Sequence, residues 1–425
     1  MMAIISKLTP LNRVFCSPDY DRAVEYLKGL LPFKVHEFPA ASEQNGWIIP
    51  PRWAVKEAKI KKDGEVIYDG TSHALRVIAL STSFRGKISR EELCTHLHYD
   101  HRYDDAIPYH FRQEYRSWER DWGFCVPKRF YDSLEKGDYE VIIETEESDG
   151  ALKVLEYTHR GILDQTIIFA AHLDHPGMAN DGLSGCAVGT ELMRRMRGRK
   201  TKFSYRLVLH QEIIGAEYYL AGIQNTAKYK CDGLFLEMLG TPTQLALQAS
   251  REGGSNIEYA VERAMAEMGV SFQTGPFGTI IVNGDYIWET YNIPLASLSR
   301  YPYPEYHTDR DNAGIIHEEA MNEVLAILLK AVDILEENPI IIKKFAGNIC
   351  VSNPRYDLYI DPGQAAFGGF IEEEAVKKMR SLMDLIPMLH SPMSIHRLAE
   401  MVELPEDAVV GYLQRWAEKG LVEIL

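Results

Sequence analysis

Positive charge is scarce in this 425-residue chain, where 46 Lys and Arg face 61 Asp and Glu for a formal net charge of −15. Phosphate backbones and anionic lipid surfaces are held by clustered Lys and Arg, so no nucleic acid and no membrane are expected as general partners. Long apolar runs are missing too, and nothing approaches the roughly 20 residues of a bilayer-spanning helix. The opening MMAIISKLTPLNRVFC lacks the charged start, apolar core and small-residue cleavage site of a secretory signal. The six cysteines (Cys16, Cys94, Cys125, Cys186, Cys231 and Cys350) form no C-x-x-C pair. Reduced thiols packed as small apolar groups, and a cytoplasmic location, are the expectation. Internal repeats and low-complexity segments are also lacking. What remains is the composition of a soluble globular protein, too long for one ordinary core. Two or three domains are expected, with homo-oligomer formation left open.

Along the chain the texture changes three times. Ser17 before Pro18 is a helix-start signal and predicts a helix over Pro18–Leu30, so 1–39 is expected to be a helical region packed on a larger domain. Residues 40–159 carry Trp47, Trp53, Trp118 and Trp122, with short β-like pieces (RWAVKEAKI, EVIYDG, ALRVIAL, YEVIIETE, LKVLEYT) between turn signals such as Asp63-Gly64. A mostly β module is the expectation. Residues 160–370 alternate strand with helix: TIIFAAHLD, a helix from Leu183 to Met196, YRLVLHQE, a helix over Ala216–Thr226, GLFLEMLG, and a strong helix over 318–337. That alternation predicts an α/β fold, a mainly parallel sheet covered by helices on both faces. Residues 371–425 read as three helices and a terminal strand, the outline of a winged helix. This tail holds six Lys or Arg against ten Asp or Glu. Its last helix offers only Arg415 and Lys419, so docking onto the larger domain or a protein partner is expected, not DNA binding.

The chemistry concentrates at His172-Leu173-Asp174-His175, followed by Asn180-Asp181-Gly182-Leu183-Ser184-Gly185. The apolar run Thr166–Ala171 stops just before it, and a helix pattern begins just after. A buried strand thus delivers imidazole and carboxylate into a loop at its carboxyl end, where open α/β sheets place their ligands. Such a loop suits a zinc-like divalent metal with nitrogen and oxygen donors. Three further strand ends supply Glu212 in QEIIG, Glu237 in LEM, and His307 with Asp309 in YHTDRDN.

In order and spacing, HLDH…NDGLSG, E-x-x-G, LEM and YHTDRD resemble the co-catalytic zinc exopeptidases, of the bacterial leucine aminopeptidase and glutamate carboxypeptidase type. That match covers about 160–340. The whole chain also resembles a bacterial family of aminopeptidase-like proteins with an inserted N-terminal domain and a winged-helix tail, with DWGFC (Asp121 to Cys125) part of the likeness. The resemblance implies a zinc-exopeptidase-like sheet, an inserted β module over 40–159 and a winged-helix-like domain over 371–425. It implies that His172 binds one metal, that Asp174 orients its imidazole, that Asp181 bridges two metals, that Glu237 completes the His172 site and that His307 binds the second ion. Ser184-Gly185 would let the helix start approach closely.

One loop departs from the family's Glu-Glu-x-Gly. Counting back from Gly215 puts Glu212 at the general-base position and Ile213 at the ligand position, leaving one firmly bound zinc and a second possible near His307. The other register pairs Gln211-Glu212 with Glu-Glu, so that Glu212 becomes a ligand and Gln211 cannot act as a base. The first register needs no insertion and is preferred. The expected activity is that of a zinc-dependent hydrolase, an aminopeptidase that cleaves a peptide or small amide substrate with metal-activated water and Glu212 as base. Tyr301, Tyr303 or Tyr306 could supply an oxyanion donor or simply pack. The rivals are an amide hydrolase on a sugar or acylated metabolite, and a catalytically weak scaffold. THLHYDHRYDDAIPYH, with His96, His98, His101 and His110, matches no ligand spacing and reads as a polar loop, or one that overhangs the cleft. Cys186 reads as core, and Arg251 as a loop residue or a partner for a substrate carboxylate.

Overall fold

The computed structural model describes residues 1–227, 231–281, 285–361, 374–390 and 392–425. Its centre is an eight-stranded sheet in the order Lys34–Pro39, Ala151–His159, Ser204–His210, Thr166–His172, Cys231–Glu237, Leu295–Ser299, Leu245–Gln248 and Phe272–Gly275. Strands Ser204–His210, Thr166–His172, Cys231–Glu237 and Leu295–Ser299 run parallel to one another. Antiparallel joins occur where Ala151–His159 meets Ser204–His210 and where Leu245–Gln248 meets Leu295–Ser299. The sheet is therefore parallel at its heart and mixed at its edges.

Strand Thr166–His172 is buried at every position. Successive side chains of a strand point to opposite faces. Ile167, Phe169 and Ala171 accordingly join the core beneath helices Gly185–Met196, Asn256–Glu267 and Glu318–Glu337. Ile168 and Ala170 join the opposite core, with Tyr219 and Trp288 of the helices Ile214–Ala227 and Asp285–Thr290. A strand buried on both faces has to be largely apolar, as this one is between Thr166 and His172.

The N-terminal helix spans Pro18–Lys28, and the Ser17 side chain accepts from the Tyr20 amide as the cap signal predicts. Ile5, Leu8, Tyr20 and Leu27 pack it and its predecessor Met2–Leu8 into the main core. Between 52 and 148 the chain forms a four-stranded antiparallel sheet in the order Glu65–Asp69, Arg52–Lys62, Asp138–Ser148 and Phe84–Ser89. Its own core holds Trp53, Ile60, Tyr68, Phe124, Tyr139 and Val141. Ala151–His159, read from the sequence with this module, instead runs in the large sheet; its alternating pattern specifies a strand but not which sheet it joins.

In the tail, helices Glu374–Met388, Ile395–Met401 and Glu406–Glu418 pack with a three-stranded sheet of Met393–Ser394, Ile340–Lys343 and Val422–Ile424. Residues 371–373, where the tail was expected to begin, lie outside the described residues. The Arg397 guanidinium donates to the Ser255 carbonyl (2.6 Å) and Asn256 donates to the Pro392 carbonyl (2.9 Å), which ties the tail to the helix Asn256–Glu267. No helix among the described residues is long and apolar enough to cross a membrane.

Candidate metal and catalytic site

The four parallel strands deliver their carboxyl ends to one edge, with His172 in register with His210 and Glu237 with Ser299. The loop 173–184 leaves this edge and is held from behind by Arg13. That guanidinium is fully buried and donates to the carbonyls of Leu8, Leu173, His175 and Met178. Burial lowers its pKa to about 10, which still leaves it charged at neutral pH. From the other side Asp311 accepts from the amides of Ala179 (3.1 Å), Asn180 (2.6 Å) and Asp181 (2.9 Å) and from the Tyr303 hydroxyl (2.7 Å). Gly182 closes the turn at φ +74°, where an added Cβ would lie 2.4 Å from the His172 carbonyl oxygen. Only glycine fits there. At Gly185 a Cβ would lie 2.0 Å from the Leu236 carbonyl oxygen, so the helix start can approach the strand Cys231–Glu237.

So fixed, the loop aims His175 and Asp181 at His307. Asp181 Oδ2 lies 3.7 Å from His175 Nε2 and 3.1 Å from His307 Nε2, and Glu212 Oε2 lies 3.6 Å from His175 Nε2. His175, Asp181 and His307 form a group whose donor atoms all lie within 4.8 Å of one another. Burial pushes Asp181 up, but His175 and His307 outweigh it and hold this carboxylate below its ordinary range. Burial lowers His175 to about 4, so its ring is neutral and available to a metal.

The donor set fits zinc. Tetrahedral zinc with bonds of about 2.0–2.1 Å separates its ligand atoms by about 3.3 Å. The Asp181 Oδ2 spacings to His307 Nε2 (3.1 Å) and His175 Nε2 (3.7 Å) bracket that value. In addition, the buried Asp181 Oδ2 has no hydrogen-bond partner of good geometry, and such atoms call for an explanation.

The remaining expected residues lie beside this group. His172 points inward from the strand end, with its ring on Phe235 (4.6 Å) and His210 (5.4 Å). Its Nδ1 is 3.8 Å from Glu237 Oε1. Burial, then His210 and His175, hold it well below its ordinary pKa, and neither ring nitrogen has a hydrogen-bond partner. The compact donor group thus forms around His307 and recruits His175, while His172 and Glu237 pair next to it. Asp174 stands by His175 (Oδ1 to Nδ1, 3.8 Å) and accepts from the Glu212 amide (3.1 Å). Burial first, then Glu212 and Glu114, raise its pKa well above the carboxylate range.

Glu212 faces the group, whereas Gln211 is buried and turned away, its amide donating to the Phe15 carbonyl at 3.1 Å. Three non-glycine residues here adopt left-handed backbone: Ile213 (φ +56°), Met238 (φ +51°) and His307 itself (φ +58°). Each costs on the order of 1–3 kcal/mol, and for a β-branched residue such as Ile213 the conformation is a genuine outlier. This strain follows Glu212 and Glu237 directly in the chain, as at sites whose geometry is fixed by their surroundings.

The histidine-bearing segment of the β module overhangs this edge. Tyr109 N–H donates to the His307 carbonyl (2.9 Å), Asp309 N–H to the Ile107 carbonyl (3.0 Å), and Ile107 N–H to Asp309 Oδ1 (2.8 Å). The Tyr109 ring sits 5.5 Å from His175 and 5.4 Å from His307, and Phe111 lies 5.5 Å from His307. The Tyr115 hydroxyl donates to Glu212 Oε2 at 3.0 Å. Glu114 is buried behind, accepts from the Tyr109 hydroxyl (2.6 Å) and is raised to about 8 by burial. Of the histidines in this segment, His96 stacks on Trp122 (3.8 Å) and His98 lies tilted against His110 (4.2 Å).

Tyr306 stacks on His307 at 3.8 Å, Tyr301 packs edge-on to Tyr306, and Tyr303 is committed to Asp311. Cys186 is buried and donates to the His172 carbonyl (2.9 Å). Arg251 is exposed and pairs loosely with Glu252 at 3.5 Å. His175, Arg13, Asp311 and Tyr115 went unnoticed in the sequence. His175 lay inside the quoted HLDH, where the family resemblance and the strand-end position favoured His172. The other three act across more than 90 residues of chain, and no local pattern marks them.

This architecture is shared with known proteins. A Clostridium acetobutylicum crystal structure described as a "putative peptidase" aligns over 100% of this chain and 96% of its own, with 21% identity and a TM-score of 0.75. A zinc aminopeptidase from Bacillus subtilis aligns over 78% of this chain and 93% of its own, with 14% identity and a TM-score of 0.56. In sequence, a Clostridium acetobutylicum protein described as "Putative polysaccharide biosynthesis protein with aminopeptidase-like domain" is 27% identical over 341 residues, 79% of this chain and 77% of its own length. The α/β fold seen here is thus the fold of the aminopeptidase-like proteins. The sequence profile of the family described as "Domain of unknown function (DUF4910)" matches residues 2–338, and the chain belongs to that family.

Proposed function

We propose that this protein is a zinc-dependent hydrolase of the aminopeptidase type, cleaving a peptide or amide bond in a small substrate. The observation that carries the reading is the convergence of His175, Asp181 and His307 at zinc-like ligand spacing with Glu212 alongside. His175, Asp181 and His307 would hold the firmly bound ion. His172 and Glu237 would offer a second, weaker position on the other side of His175.

A bound zinc would polarise the scissile carbonyl and acidify the attacking water. Glu212 takes the proton of that water and returns it to the leaving amine. Asp174, accepting from the Glu212 amide, holds the base and the His175 loop in one frame. Tyr109, Phe111 and Tyr306 crowd around His307 and limit water at the reacting bond. The tail, with its winged-helix outline, serves docking within the chain or to a protein.

A second reading, hydrolysis of an amide on a sugar or acylated metabolite, is favoured by the name of the polysaccharide-biosynthesis relative. Turnover of aminoacyl p-nitroanilides, measured beside N-acetylated sugars, separates the two. Glu212→Gln should lower kcat by about 10³-fold while bound zinc stays at the wild-type level. A fully active Glu212→Gln enzyme would sink the mechanism.

A further inference from the structure

The β module does more than roof the site. Its Tyr115 hydroxyl donates to Glu212 Oε2 at 3.0 Å, the same oxygen that stands 3.6 Å from His175 Nε2. The Tyr115 ring is itself clasped by three rings, two of them from other segments. Phe15 lies 5.4 Å away edge-on, Trp47 6.5 Å and Phe111 5.9 Å. Phe15 belongs to the N-terminal region and shares a core with the large sheet, while Trp47 sits in the small hairpin Glu43–Gln44/Trp47–Ile48. Rings at edge-on geometry leave a tyrosine little rotational freedom, so its hydroxyl is a fixed donor. Glu212 sits on a strained turn, before left-handed Ile213, and its Oε2 is the atom that accepts from this fixed donor.

From this geometry we infer that Tyr115 is a positioning residue: the β module fixes the Glu212 carboxylate toward the His175–Asp181–His307 group through the Tyr115 hydroxyl. The inference rests on the hydrolase reading for its kinetic consequence, but not for its structural one. Outer hydrogen bonds of this kind set the orientation of the groups they touch, and their loss typically costs 10–100-fold. The hydrogen bond also makes the site composite: the large sheet supplies the metal donors and the base, and the module supplies the base's orientation.

Tyr115→Phe removes the hydroxyl and keeps the ring, so it tests orientation apart from packing. The expected result is a kcat about 10-fold or more lower on an aminoacyl p-nitroanilide, with KM, zinc content and melting temperature unchanged. Tyr115→Phe combined with Glu212→Gln should be no slower than Glu212→Gln alone. A crystal structure of Tyr115→Phe should show Glu212 Oε2 displaced from its place beside His175. Unchanged kcat, or Glu212 still in place, would overturn the inference. If the wild type hydrolyses none of the substrates yet Glu212 moves in the variant, the hydrolase reading falls and the positioning role stands.

Discussion

Only two residues separate His172 from His175, yet their surroundings differ in kind. His172 closes a strand buried on both faces, its ring lies among Phe235 and His210, and one carboxylate, Glu237, stands 3.8 Å away. His175 rides a loop and meets Asp181 of that same loop together with Glu212 and His307 from two other segments. A strand end fixes a side chain's direction through the sheet, so it buries His172 firmly but brings it few neighbours. A loop can converge with other loops only if something rigid holds its backbone, and here Arg13 and Asp311 do so. Convergence of the candidate ligands is therefore a property of the anchored loop more than of the strand that feeds it.

Removing each imidazole breaks the comparison most sharply. His175→Ala should weaken zinc binding by more than about 100-fold, since even outer-sphere changes reach that range. His172→Ala should stay within about 10-fold for the first ion, as read by metal content after dialysis. Equal losses in both variants would erase the distinction drawn between the two positions.

The anchor comes next. Arg13→Met strips the donors from four buried carbonyls, each costing about 1–3 kcal/mol when left unmade. A net destabilisation of about 3–5 kcal/mol in urea unfolding is expected. Zinc affinity should fall with it, because the His175 loop loses its hold while the His172 strand keeps its ladder.

A smaller effect sharpens the His175 side further. Glu114, behind Tyr109, has its pKa raised from 4.5 to about 8 by burial. Above pH 4.5 the unfolded chain loses this proton while the folded protein keeps it until about pH 8. Stability from this group is thus fully present below 4.5 and is lost as pH rises through about 8. Glu114→Gln should remove that slope, and melting temperatures above pH 8 should exceed wild type by the equivalent of about 1–3 kcal/mol. Below pH 4.5 the variant should show no gain.

Much of this was legible in the sequence. Strands Thr166–His172, Ser204–His210 and Cys231–Glu237 were marked by the largely apolar stretches a doubly covered sheet requires, and their ends pointed to the candidate site. Asp181, Glu212 and His307 were expected as site residues because each lies in the segment that follows such a strand and matches the family motif. His175 was not, since within HLDH the local pattern says nothing of which imidazole turns outward. Choosing requires the backbone of 173–178, set by Arg13 some 160 residues earlier in the chain. Tyr115 was hidden for the same reason, since its partner Glu212 lies 97 residues away. The strand Ala151–His159 shows the same limit in the fold, where pattern specified strand but pairing with Ser204–His210 depended on tertiary contacts.

The most direct test is anomalous diffraction at the zinc edge from crystals of protein loaded with one equivalent of zinc. The account predicts one peak about 2.0–2.2 Å from His175 Nε2, His307 Nε2 and a carboxylate oxygen of Asp181. A single peak bound by His172 and Glu237, with His175 uninvolved, would contradict it.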